Sequence, residues 1–284
     1  MMATPEIKSV GKAFALLDCI ASGEGGVSLP SMAKRCDLTM ATAHRLLTTM
    51  EALGVVVHTG PGEYAIGTRL LGLCREASFE SLLASAAAPI LSRLSRTTRT
   101  TSHIGVLDSE FMVTYLARCA SAHAKIPTLP GNKLEAYCSG LGKVLLAGLS
   151  MPRRESYLAE GPFPALTSRT IIAQEDLARE LSAVCRRGFA FDDCEMFEDL
   201  RCVAVPIHDQ SGRVVAALSA SGSCREMPKS RVSSLAEELT RQAETISGKL
   251  FPRTAINFRT SRTKQRSAHD KPTHQDDRSG SPAP

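Results

Sequence analysis

The chain reads as an α+β protein with two folded parts, and three patterns predict this. Residues 28 to 66 run as helix, tight turn, helix and hairpin; residues 67 to 99 are helical in pattern; and residues 100 to 250 alternate short β-rich runs with amphipathic helices. The last pattern predicts a mostly antiparallel sheet with helices packed on it. The expected divisions are 1–75 for the first module, 76–99 for a linker and first helix, 100–250 for the second domain and 251–284 for a tail. With 284 residues there is enough chain for a sizeable core in the larger part.

In the first module, Val10, Phe14, Leu17 and Ile20 are spaced as the apolar stripe of an opening helix. Ser28 is a suitable N-cap for a helix through Met32, Ala33 and Arg35 to about Cys36. Asp37-Leu38-Thr39 makes the break, with Leu38 facing inward and Thr39 placed to cap the next helix. That helix has Ala43, Leu46, Leu47 and Met50 on its inner stripe. Thr39, Met40, Ala41, Thr42, His44 and Arg45 lie on the opposite, N-terminal face. Small, hydroxyl-bearing and cationic groups on one helix face suit a DNA major groove, where close approach and donors to phosphates and base edges are needed. Gly54 stops the helix. Val55-Val56-Val57 and Tyr64-Ala65-Ile66 read as strands around a His58–Gly62 turn, which makes the unit a winged helix-turn-helix.

The linking stretch predicts helices over Arg69–Phe79 and Leu82–Leu94, with a kink or restart at Pro89. Beyond it, Thr101–Leu107 and Phe111–Leu116 form a hairpin signature around Asp108-Ser109-Glu110. Helices are expected over Gly142–Gly148, Pro152–Ala159, Glu175–Arg187 and Arg231–Leu250. Strands are expected from Phe189 to Phe191, Cys202 to His208 and Arg213 to Ala220. The tail is nearly free of aliphatics after Ile256 and is expected to be disordered.

Charge is a poor guide to the partner. The net charge is +5, yet residues 1 to 77 hold seven basic and seven acidic groups, while the tail from residue 251 holds seven basic and three acidic. Local placement on the recognition helix must therefore carry the case for DNA. Nine cysteines without Cys-x-x-Cys or zinc spacing fit reduced thiols in a cytoplasmic protein, with no metal and no cofactor. No apolar run is long enough for a transmembrane helix and no secretory signal is expected.

Ser9-Val10, the run LTMATAHRLL, the phrase ALGVV and EYAIGTRLL resemble the DNA-binding half of IclR-type bacterial transcription regulators. SGLGKVLLAGL, LTSRTI, LARELSAVCRRGFAFDDCE and LRCVAVPIHDQSGRVVAALSASG resemble their second half, so the likeness spans almost all of residues 8 to 250. It implies an operator-binding homodimer or homotetramer whose second domain, a GAF/profilin-like antiparallel sheet with packed helices, binds a small organic acid. Members often carry Lys-Ser where this chain has Met40-Ala41, which shifts the expected phosphate contacts to Arg45, the wing or Arg69.

Carried over by position, the implied cup consists of Gly140 and Leu141, Asp192, Leu200 and Cys202, and Ser219 and Ser221. Ile126 and Leu134 would form an apolar lid or wall. Ser219 and Ser221 at i and i+2 on a strand aim both hydroxyls to one face, where they can donate to one carboxylate. Amides of the Gly140-Leu141 turn add donors. Asp192 can accept from a ligand hydroxyl or gem-diol, which favours a short oxo- or hydroxy-carboxylate. Two rival readings attach to cysteine: redox sensing through Cys202 and Cys194, and a small-acid-processing enzyme using Cys202 with His208 or His103. Neither has the surrounding motif that such chemistry needs. Gly140-Leu141-Gly142-Lys143 lacks the spacer and the Ser or Thr of a phosphate loop.

Overall fold

The computed structural model describes residues 7–23, 28–74, 78–121 and 128–252; Ile126 and the tail beyond 252 lie outside them. The chain forms two compact units, which part between Arg69 and Leu70.

The first unit contains α1 (Lys8–Ser22), α2 (Leu29–Arg35), α3 (Met40–Ala52) and a hairpin of β1 (Val56–Gly60) with β2 (Glu63–Ile66). Its core is built from Leu16, Leu17 and Ile20 of α1, Met32 and Ala33 of α2, and Ala43, Leu47 and Met50 of α3. The inner stripe of α1 therefore differs from the expected one: Val10 and Phe14 are exposed, and Ala15 and Leu16 take the inner positions. Helical period identifies a stripe but leaves open which of two adjacent apolar stripes meets the neighbours.

The turn before α3 falls at the expected residues. Asp37 takes a left-handed conformation at φ 52°, and Thr39 Oγ1 accepts from the Thr42 amide at 3.2 Å. Leu38 is half-buried there, and Leu46 is likewise only half-buried. Leu53 is the C-cap of α3, and Gly54 follows at φ 70°. The wing strands run further than expected. His58, Thr59 and Gly60 belong to β1, so the turn is confined to Pro61-Gly62.

Helix α4 (Thr68–Cys74) straddles the division between the units. In the second unit, α5 spans Phe79–Thr98 with Ser78 as its N-cap. Pro89 lies inside α5 without ending it, so of the expected kink or restart the restart does not occur there; the fresh start comes at Ser78. A six-stranded sheet follows, composed of β3 (Thr101–Leu107), β4 (Met112–Cys119), β5 (Lys133–Glu135), β6 (Ala190–Asp193), β7 (Leu200–His208) and β8 (Val214–Ser223). Its order is β5-β4-β3-β8-β7-β6, with every neighbouring pair antiparallel. The short edge strand β5 carried no sequence signal.

Alternation along the strands separates two cores. On one face Ile104, Val203, Val205, Leu218 and Ala220 meet α5 and the C-terminal helix α9 (Val232–Leu250). On the other, Tyr115, Ala190, Ala204 and Ala217 meet α6 (Gly140–Ala147), α7 (Met151–Leu158) and α8 (Gln174–Arg187). This second face carries the implied cup.

Candidate functional site

In the first unit, Thr39, Met40, Ala41, His44 and Arg45 are exposed together on α3, and Thr42 is half-buried beside them. They lie opposite the buried Ala43, Leu47 and Met50. Thr39 and Thr42 hydroxyls are 2.9 Å apart, so part of their hydrogen-bonding capacity is spent on the cap. Arg45 and His44 remain as outward polar groups. Arg69 is exposed at the start of α4, and its amide donates to Gly54 O at 3.3 Å. The wing from 55 to 66 has no Lys or Arg. Its His58 instead pairs with Glu51 at 2.8 Å, so any backbone contact from the wing must use amides or hydroxyls.

In the second unit the sheet register brings the implied cup residues into line. Asp192 on β6 lies opposite Cys202 on β7, which lies opposite Ser221 on β8. Two positions along β7, Ala204 lies opposite Ser219. Asp192, Ser219 and Ser221 are at most 4% exposed, and Cys202 is also buried. Above this row stands the N-terminus of α6. Ser139 caps it by accepting from the Gly142 amide at 3.0 Å. Gly140 and Leu141 thus form the first turn of a helix rather than a free turn, and helix geometry leaves their amides without intrahelical acceptors.

Glycine is required in this loop. A Cβ on Gly140 would lie 2.8 Å from Cys202 Sγ, and one on Gly142 would lie 2.1 Å from Ala136 O. The helix end is pressed directly onto the row of polar side chains. Leu200 is half-buried at the start of β7, and Leu134 is half-buried on β5, at the opposite edge of the sheet from Asp192. Leu134 still packs into the core that includes Leu141 and Tyr115.

The electrostatics of the row follow from burial. Asp192 is pushed up to about 7 by desolvation and by Glu195 nearby, although the Glu195 amide donates to its Oδ1 at 2.7 Å. Burial and Asp192 push the Cys202 thiol up to about 12, while the hydroxyls of Ser221 and Ser219 act against this. Even so, Ser219 Oγ makes no hydrogen bond of normal geometry. A buried hydroxyl left without a well-formed hydrogen bond is costly.

Three further side chains of this face have roles that no sequence motif marks. Lys143 is fully buried; its Nζ donates to Glu195 Oε1 and Phe191 O, both at 2.6 Å, and lies 3.4 Å from Glu180. It anchors the loop after β6 to α6 and holds no phosphate. His103 on β3 lies opposite Ser219, and Arg118 on β4 lies opposite His103. Burial and Arg118 hold the His103 imidazole neutral, at about 3.

The cysteine readings change accordingly. The thiol in contact with Cys194 is Cys224, at 3.1 Å, and not Cys202. Cys202 has no activated base: His103 is neutral and poorly basic, and His208 is exposed at the end of β7. A thiol raised by burial is the opposite of an activated nucleophile. No group of His, Cys, Asp and Glu suited to a metal ion occurs among the described residues, and no described helix is long and apolar enough to cross a membrane.

Residues 9–60 match the IclR helix-turn-helix domain, and residues 79–248 match the family described as bacterial transcriptional regulator IclR C-terminal. The chain is 31% identical over 246 residues to the acetate operon repressor of Salmonella typhimurium, covering 86% of this chain and 90% of that protein. It is 30% identical over 246 residues to the regulator KdgR of Escherichia coli, covering 86% and 93%. Among solved structures, a putative transcriptional regulator from Rhodococcus sp. RHA1 superposes with a TM-score of 0.57 at 31% identity, over 86% of this chain and 98% of that one. An IclR homolog from Microbacterium hydrocarbonoxydans, complexed with 4-hydroxybenzoate, gives 0.57 at 25% identity, over 85% and 98%. The chain belongs to the IclR family of DNA-binding transcriptional regulators, which are not enzymes.

Proposed function

We propose that the second unit senses a small organic acid bearing an oxo or hydroxy group and alters operator binding by the first. The observation that carries this reading is the buried row Asp192–Cys202–Ser221 beneath the α6 N-terminus, with Ser219 Oγ beside it unpartnered. Two hydroxyls and two helix-end amides supply donors to a carboxylate without a full positive charge. Asp192 supplies an acceptor for a ligand hydroxyl, or a donor when protonated. That an IclR homolog carries 4-hydroxybenzoate supports the same chemistry, and extends it to an aromatic hydroxy acid.

The expected test is a paired substitution. Ser219→Ala with Ser221→Ala should weaken binding of the responding acid by at least ~100-fold, the loss of about two hydrogen bonds to a charged group, with operator affinity intact. Undiminished binding in calorimetry would remove the serines from the cup.

On the DNA side, the exposed face Thr39, Met40, Ala41, Thr42, His44 and Arg45 enters the major groove, and Arg69 reaches the backbone. One reader covers few base pairs, so a homodimer or homotetramer presenting two readers to a pseudo-palindromic operator follows. Arg45→Ala should lower operator affinity by ~10-fold or more, the magnitude of one arginine contact to a base edge. A gel-shift titration with equal affinities would strike Arg45 from the contacts. The acid acts only to the extent that it binds one arrangement of the two readers better than another.

A further inference from the structure

Of the buried polar atoms on the cup face that make no hydrogen bond among the described residues, three lie along one line across three strands. Ser219 Oγ, His103 Nδ1 and Arg118 Nε are each buried and unsatisfied. Their residues are consecutive in the register: Ser219 on β8, His103 on β3, Arg118 on β4. The imidazole and the guanidinium are each already held at their other end. His103 Nε2 is 2.8 Å from Thr128 Oγ1, and Arg118 Nη1 donates to Thr128 O at 2.8 Å. With the Thr128 hydroxyl donating to Nε2, the Nδ1 proton of His103 is left free to donate. Tyr115 packs edge-on against the same ring, 5.3 Å between centroids, and fixes its plane.

Charge marks out the far end of this line. Lys143 is matched by Glu195 and Glu180. Among the described residues Arg118 has no carboxylate within ion-pair distance, and the acceptor it meets there is the Thr128 carbonyl oxygen. Native proteins leave few buried donors unmade, and three in register describe a shape waiting for acceptors.

We propose that the effector cup continues from Ser219 and Ser221 to His103 and Arg118, and that the effector is a dicarboxylate. One carboxylate takes the serine hydroxyls and the amides opening α6; the other takes Arg118 Nε and His103 Nδ1. Strands β8 and β4 are two spacings apart, ~10 Å, which suits an acid longer than a two- or three-carbon one. This inference rests on the cup described under the proposed function, and the experiment separates the two.

Full-length protein is titrated calorimetrically with adipate, with hexanoate, which has the same length and one carboxylate, and with pyruvate. Adipate should bind at least ~10-fold tighter than hexanoate, the effect of about one charged hydrogen bond. Arg118→Gln should abolish that preference with operator binding unchanged, and Arg118→Lys should restore part of it. Equal binding of adipate and hexanoate by the unsubstituted protein overturns the dicarboxylate assignment, whatever the folding of the variants. So does a preference that survives Arg118→Gln. Pyruvate binding that depends on Ser219 and Ser221 but shows no adipate preference leaves the cup standing without this extension. Binding of none of the three acids overturns both.

Discussion

Lys143→Met is expected to destabilise the second unit by about 3–5 kcal/mol, the usual cost of breaking a buried ion pair by removing one partner. Lys143 is fully buried and Glu195 is 5% exposed, so neither charge can turn to water once its partner is gone. Burial already pushes the Glu195 carboxyl up, and Lys143 acts against it. Without the ammonium, Glu195 must either protonate or carry an unanswered buried charge. The substitution also removes the donor to Phe191 O, which ties β6 to α6. Urea unfolding at neutral pH reads the loss directly. Adding Glu195→Gln to Lys143→Met should recover a large part of it, because the stranded charge is then absent. A single variant within ~1 kcal/mol of the parent would show that the pair contributes nothing to the fold.

Asp192→Asn should act in the opposite direction above neutrality. The folded chain raises this carboxyl from 3.8 to about 7, so the native state holds a proton that the unfolded chain releases at lower pH. The contribution of Asp192 is therefore most favourable below about 4, declines between about 4 and 7, and is level above that. Asparagine keeps an acceptor for the Glu195 amide and has no proton to lose. The variant should thus lack this decline and be more stable than the parent at pH 8 by a few kcal/mol, because a tenfold change in proton affinity is worth ~1.4 kcal/mol. It should also respond less to effector. Melting curves from pH 4 to 8 decide the matter: parallel profiles for parent and variant would show that Asp192 titrates normally. A carboxylate kept at the proposed cup against its own stability is the kind of cost that binding sites carry.

Much of the first unit was legible because its signals are local. The cap at Thr39, the left-handed Gly54 and the inner stripe of α3 each involve residues within a turn or two of one another. The stripe of α1 was legible only in its second half: Leu17 and Ile20 are buried as expected, whereas Val10 and Phe14 lost to Ala15 and Leu16, since only the neighbouring helices decide between adjacent stripes. The edge strand Lys133–Glu135 was missed because three residues, two of them charged, have no periodicity to detect.

Sequence by itself determined that a helix-turn-helix with a wing precedes an α+β domain, and that Ser219 and Ser221 share one side of a strand, because backbone period and capping are properties of neighbouring residues. Only the tertiary structure decided that Asp192, Cys202 and Ser221 form one row, that Lys143 is neutralised by Glu195, and that His103 and Arg118 extend the line from Ser219. Those relations depend on strand order and register, which bring together residues far apart in the chain; no local pattern in TSHIGVL or YLARC carries that information.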